Sequence, residues 1–406
     1  MRQFESGRHL LKPDIPGGTR MKDKLMLMIP GPTPVPESAL LAMARGPIEH
    51  RSQEFTAILE EVTEGLRWLH QTTSDVFVFA SSGTGAMEAG ILNTLSPGDR
   101  VLVGVNGKFG ERWAEMSEQF GLQCERIETP WGVPYPVAVF QEKLAADREK
   151  TIKAVILTHS ETSSGVANDV QAIAAAAREH GEALVIVDAV TSLGAMPVPM
   201  DEWGLDVVAS GSQKGYMIPP GLGFVAVSPR AMAAAERSRF PKYYWSFKLA
   251  QKALRQGTTP FTPAVNLFYA LQVTLRLMRA EGLEAIYRRH ARLAQATRAG
   301  VKALGLKLLV NPEAAASPSV TAVLAPEGIN ADTLRSTLKK HFDIATAAGQ
   351  DHLKGKIFRI GHLGFVSERD ILTTLAALES ALHTLGYGDF PPGAGTRAAE
   401  EVLASA

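Results

Sequence analysis

Val207-Val208-Ala209-Ser210-Gly211-Ser212-Gln213-Lys214-Gly215-Tyr216, running on through Pro219-Pro220-Gly221-Leu222-Gly223 to Phe224-Val225-Ala226-Val227, decides the fold. An apolar run breaks at small residues, presents a lysine at the break, turns at Pro-Pro-Gly and resumes as a second apolar run. One lysine is thus held between two strands. Fixed backbone on both sides positions it, and a partly desolvated amine can condense with a carbonyl. Most lysines are solvated loop residues, so the surroundings decide what Lys214 does.

Upstream, apolar β-runs alternate with amphipathic helices, which predicts a mostly parallel sheet wrapped by helices. The β-runs fall at 76–80, 100–105, 153–158, 183–187, 207–209 and 224–227, with helices at 86–95, 110–120, 170–180 and 231–238. Functional residues in such sheets gather at the carboxyl ends of strands. The first exit, Ser81-Ser82-Gly83-Thr84-Gly85, opens a helix. Small residues, hydroxyls and a helix N-terminus suit a lone phosphate, although the same residues cap ordinary helices. The exit has neither the Gly-Lys-Ser/Thr of a nucleotide loop nor dinucleotide glycine spacing. The second exit, Asn106-Gly107-Lys108-Phe109-Gly110, sets an aromatic ring on a glycine-flanked turn, where it either stacks on a flat ligand or joins the core. The third, Thr158-His159-Ser160-Glu161-Thr162-Ser163-Ser164-Gly165, is rich in short hydrogen-bonding side chains, with His159 read as structural. The fourth ends an all-apolar run in Asp188, a carboxylate that requires a cation or donor unless it caps the following turn. Lys214 is the fifth.

Bulk composition narrows the partners. The chain of 406 residues suits a large domain plus a smaller one. Lysine plus arginine balances aspartate plus glutamate at 42 each, so no long-range field favours nucleic acid or an anionic membrane. The lone Cys124 excludes a disulfide framework, a cysteine-rich zinc site and a cysteine-ligated iron–sulfur or nickel–iron centre. No stretch reaches membrane-span length and the N-terminus lacks a signal-peptide apolar region, so a soluble cytoplasmic protein is expected.

One cofactor uses all five exits. Pyridoxal 5′-phosphate is a flat aldehyde with a phosphate, a phenolic oxygen and a ring nitrogen; it forms a Schiff base with lysine, and an acidic residue keeps its ring protonated as an electron sink. The motifs Pro30-Gly31-Pro32-Thr33, His50-Arg51-Ser52, Ser82-Gly83-Thr84-Gly85, Asn106-Gly107-Lys108-Phe109-Gly110, Thr158-His159-Ser160-Glu161, Val187-Asp188, Gly211-Ser212-Gln213-Lys214 and Phe358-Arg359-Ile360-Gly361 carry a resemblance. From about Leu25 to Tyr387 the chain resembles the class V, fold-type I aminotransferases, near the alanine–glyoxylate and serine–glyoxylate group. The resemblance implies a seven-stranded, mostly parallel sheet, a smaller C-terminal α+β domain and a homodimer with its active site at the subunit interface. It implies that Lys214 bonds the cofactor, Asp188 pairs with the pyridine nitrogen, and Ser82, Gly83 and Thr84 hold the phosphate. Gln213 and Ser163 would lie near the ring's oxygen and phosphate, with Val190 on the other face. Phe109 stands where many relatives carry tryptophan. Arg359 would grip the substrate α-carboxylate as a two-point fork, with Gly31 bordering the substrate. In the family the loop 256–263 reaches the other subunit's cofactor phosphate; its repeated Thr-Pro leaves Thr259 and Thr262, of which Thr262 is preferred.

The expected organisation is an N-terminal extension over 1–20, an arm over 21–36, a large cofactor-binding domain over 37–265, a small domain over 266–387 and a flexible tail over 388–406. The implied activity is a ping-pong transfer from a small amino acid such as alanine or serine to glyoxylate or pyruvate. An aspartate donor would need a second cation, for which Arg51, Lys242 and Lys354 are candidates. Cysteine desulfuration needs a mobile cysteine late in the chain, and Cys124 is not one. Some relatives have carried the label of a soluble-hydrogenase subunit, which leaves association with a metal-bearing partner as a rival reading.

Overall fold

The computed structural model describes residues 24–405, so the expected extension over 1–20 lies outside the described residues. Strands Asp75–Ser81, Arg100–Val105, Gln123–Glu128, Ile152–Thr158, Leu184–Asp188, Val207–Gly211 and Gly221–Val227 form one seven-stranded sheet. All of its pairings are parallel except those of Gly221–Val227, which runs antiparallel to both neighbours. The apolar runs are continuous because both faces are covered. Val155, Leu157, Val185 and Val187 pack on one side with Leu66, Ile173 and Leu271. Ala154, Ile156, Leu184 and Ile186, one residue out of phase, pack on the other with Ile91, Trp113 and Ala231. Register aligns the exits: Thr158 lies opposite Asp188, and Asp188 opposite Ala209.

The second domain is a five-stranded sheet ordered Met26–Met28, Ile344–Ala348, Ile357–Gly361, Val320–Leu324, Lys307–Leu308. The N-terminal arm is therefore an edge strand of the small domain, with Met26 paired in parallel to Ile344. Its side chains join one core, in which Met28, Leu334, Phe358, Ile360 and Leu375 are fully buried or nearly so. Gly361 is required where the arm crosses it: a Cβ there would stand 2.5 Å from Pro30 N.

The expected flexible tail is corrected. Residues Ala394–Ala404 form a helix whose Gly395 and Ala399 are buried, packed on the long helix Leu283–Ala303. The helices approach closely enough that a Cβ on Gly300 would lie 2.9 Å from Gly395 O. Small residues bring two backbones together here without the large apolar side chains that mark a core in sequence. Among the described residues no helix is long and apolar enough to cross a membrane. Removing residues 388–406 should lower stability by about 2 kcal/mol, through exposure of the face of Leu283–Ala303, measured as a lower urea midpoint.

Candidate active site

The loop after Val207–Gly211 carries Lys214 into a buried position under the N-terminal arm. Thr33 clamps the two together: its N–H donates to Gln213 O at 3.1 Å and its hydroxyl to Lys214 O at 3.0 Å. Lys214 Nζ donates to Pro30 O at 2.9 Å. Gly31, at φ +140°, lies against the lysine stem, and a Cβ there would come within 2.5 Å of Lys214 Cδ and Nζ. Burial pushes the Lys214 amine down to about 8; Asp188 opposes this, and Arg359 and Arg112 add to it.

Asp188 ends its strand 3 % exposed, its carboxylate accepting the Val190 N–H at 2.8 Å. Burial pushes it up to about 7, with Glu161 adding to the rise and the Val190 N–H, Arg112 and Lys214 opposing it. Ser82 is the N-cap of the helix Gly83–Thr94, yet its side chain makes no capping bond. Gly83 packs beneath Val190, since a Cβ would meet Val190 Cγ2 at 2.8 Å. Thr84 accepts a hydrogen bond from Arg112 Nη1 at 3.0 Å, and the Arg112 guanidinium lies 4.8 Å above the Phe109 ring centre. Gln213 Oε1 is buried without a partner.

Glu161, to which sequence reading gave no role, organises the other side. Its carboxylate, fully buried, accepts the backbone N–H groups of Phe109, Gly110 and Ser163, each at 3.0 Å. Burial holds its pKa above the usual carboxylate value against those donors. The turn that presents Phe109 is thus tied to the third exit. Ser163 serves the same tie, donating to Glu161 and accepting the Lys108 N–H at 2.8 Å. Thr162, rather than Ser163, faces the cavity. His159 is buried edge-on to Trp203 and pushed down to about 4 by burial, and its Nδ1 is buried without a hydrogen-bond partner.

Arg359 joins the domains. From the strand Ile357–Gly361 its Nε donates to Ala348 O at 2.9 Å and its Nη1 to Thr162 O at 2.7 Å. Burial lowers it to about 10, Glu161 opposing and Arg335 adding, so it stays protonated at neutral pH. A cavity of about 600 Å³ is walled by Pro30, Gly31, Phe109, Thr162, Lys214 and Arg359 among others. Another of about 590 Å³ lies at the amino ends of the strands, beside Lys153, Leu184 and Arg230, and holds none of the predicted residues. Arg51, Lys242 and Lys354 do not line the Lys214 cavity. Thr259 is buried and donates to Phe261 O at 2.8 Å, whereas Thr262 is exposed. Burial pushes the Cys124 thiol up to about 11, and it sits in the outer strand Gln123–Glu128.

A buried lysine and a buried carboxylate at neighbouring strand ends, with an arginine lining the same cavity as the lysine, sit on the fold-type I scaffold of pyridoxal-phosphate enzymes. The class-V aminotransferase family matches residues 39–361, and the chain belongs to that family. It is similar to the small subunit of a soluble hydrogenase from Synechococcus sp., 60% identical over 95% of this chain and 100% of that one. It is 42% identical to an L-aspartate–glyoxylate aminotransferase of Paracoccus denitrificans, over 92% of this chain and 95% of the other. A crystal structure of alanine–glyoxylate aminotransferase from Nostoc sp. superposes with a TM-score of 0.84 at 32% identity, covering 92% of this chain and 98% of that one. The chain is an aminotransferase.

Replacing Glu161 by Gln should cost about 2 kcal/mol, because the amide NH2 must face either the Phe109 and Gly110 N–H pair or the Ser163 N–H; urea unfolding of the variant reads it.

Proposed function

We propose that the chain moves an amino group from a small amino acid of the alanine or serine type to a 2-oxo acid such as glyoxylate or pyruvate, using pyridoxal 5′-phosphate. The observation that carries this is the buried Lys214 amine beside Asp188 at neighbouring strand ends. The residues present fit the cofactor. Gln213 Oε1 is buried and unpartnered, and the Ser82 hydroxyl is not used as a cap. Ser82, Gly83 and Thr84 at a helix N-terminus would hold the phosphate, Phe109 and Val190 the two ring faces, and Asp188 the ring nitrogen. Thr262, exposed and ahead of the helix Val265–Glu281, would reach the phosphate of a second copy in a homodimer.

When bound, the cofactor supplies an aldehyde that takes up the donor's amine and a ring that spreads the charge left on the α-carbon. Arg359 grips the donor's α-carboxylate and fixes the α-hydrogen toward Lys214. Lys214 Nζ would be the base that takes up that proton and the acid that gives it back. An amine at about 8 is well placed for both transfers near neutral pH. Asp188 would favour a positive charge on the ring nitrogen, and the arm covers the lysine side against water. The keto acid leaves before the acceptor binds, so the kinetics are ping-pong.

The hydrogenase name belongs to the Synechococcus relative, and no feature of this site carries it. Reconstituted protein should show the near-visible absorption of lysine-bound cofactor, and Lys214→Ala should lose it; absorption that survives the substitution overturns the assignment. Neutral amine is the reactive form, and its fraction rises as pH climbs through about 8. Capture of free pyridoxal 5′-phosphate by the apoprotein should therefore accelerate about tenfold from pH 7 to pH 9 and then level off, followed by stopped-flow absorbance.

A further inference from the structure

The segment that follows Arg359 returns to the backbone of Lys214. Past the strand Ile357–Gly361 the chain runs through His362 and Leu363 to the buried Gly364, which lies against the lysine's own carbonyl. A Cβ on Gly364 would stand 3.2 Å from Lys214 O, from Thr33 Oγ1 and from Met217 Cγ, and its φ of +77° also favours glycine. The Thr33 hydroxyl and the Met217 N–H both donate to that Lys214 O, at 3.0 Å each. Gly364 thus packs on the carbonyl that fixes the lysine backbone.

What holds Gly364 comes from the helix Leu283–Ala303, which grips both polar backbone atoms of the residue. The Gly364 N–H donates to His290 Nε2 at 3.0 Å, and Arg289 Nη1 donates to Gly364 O at 2.9 Å. The imidazole is committed to one tautomer, because its Nδ1 lies 2.8 Å from Ile286 O, which can only accept. Burial, with Arg289 adding and the Ile286 carbonyl opposing, pushes His290 down to about 3, so Nε2 stays an acceptor at neutral pH. Arg289 is aimed by a fork: Nε and Nη2 pair with Glu281 at 2.6 and 3.0 Å, which leaves Nη1 for the glycine. His362 pins the start of the segment, its Nδ1 donating to Pro318 O at 2.7 Å and its Nε2 accepting from the Thr321 hydroxyl at 2.9 Å.

Resting on the amino-transfer reading above, we propose that His290 and Arg289 are positioning residues for the reaction: by holding Gly364 against the Lys214 carbonyl, they set the lysine amine in relation to Arg359. Proton transfer needs this relation more than binding does. Arg359 is anchored independently, on Ala348 O and Thr162 O, so a donor carboxylate keeps its site when the clamp is cut. The lysine backbone instead loses one of the surfaces around it, and the alignment of Nζ with the donor's α-hydrogen loosens.

The test compares His290→Leu, which keeps bulk but removes the acceptor, with His290→Gln, whose amide oxygen can take the place of Nε2. Holoenzyme is mixed with L-alanine or L-serine without acceptor, and conversion of the cofactor to its amine form is followed. His290→Leu should lower the saturating rate about tenfold or more while the half-saturating concentration moves less than about threefold, and His290→Gln should recover most of the rate. Hydrogen exchange of the full chain without cofactor reads the clamp directly. In His290→Leu the amides of Thr33 and Met217 should speed up more than those of the strand Arg100–Val105, whereas a general loss of stability moves both alike. Arg289→Met removes a partly exposed side chain and keeps the fold even where His290→Leu does not; it should shift rate and exchange in the same sense, by about threefold or more. Rates that neither variant changes, a loss of rate matched by an equal rise in half-saturation, or exchange that rises alike in both places overturns the proposal. Wild-type protein that converts no amino acid overturns the amino-transfer reading itself, and the exchange measurement still decides whether the clamp holds Lys214.

Discussion

Desolvation at the carboxyl edge of the large sheet sets the terms for everything around it. Asp188 and Lys214 lie within reach of each other's charge, and an ion pair would lower the acid and raise the amine. Both move the other way, the carboxyl to about 7 and the amine to about 8. The cost of removing each from water outweighs their attraction, so neither is locked in its charged form near neutrality. A pair poised this way can change its protonation near neutral pH, which a tight surface salt bridge could not.

Keeping water away takes structure from several parts of the chain. The sheet is sealed on both faces by apolar layers, and one wall of the cavity is formed by Ile29, Pro30 and Gly31, which follow a strand from the start of the chain. Pro30 O holds the amine, Thr33 holds its loop, and the arm's strand is stitched into the small domain. Arg359 comes from that same domain and bonds Thr162 O in the large one. Arg359 and Lys214 therefore share one mechanical frame.

Much of this was legible in sequence because the chemistry sits where apolar runs end. Six strand runs, the Ser82–Thr84 cup, Asp188, Lys214 and Arg359 each interrupt a clear period with a residue that costs something to bury. What escaped lacks that contrast. Gln123–Glu128 is an outer strand with mostly polar, partly exposed residues, and Ile344–Ala348 is built of alanine and threonine. The last helix packs through Gly395 and Ala399, which carry little hydrophobic signal. Glu161 lay inside a recognised motif, but its role depends on backbone amides fifty residues upstream. Arg335 and Lys339 read as an ordinary polar face of an amphipathic helix, and only the tertiary fold turns that face toward Lys214. Arg51, Lys242 and Lys354 could not be told from them by composition.

Met26–Met28 is the first strand of the described residues to be made, yet its partner Ile344–Ala348 follows more than three hundred residues later. During synthesis the apolar sheet can assemble while the lysine still lacks its carbonyl anchor and its roof. The Lys214 amine is then open to water until the small domain is made. Closing this long loop and covering Lys214 are the same event, so the nascent chain gains the arm's contacts with Lys214 only after most of it has been translated.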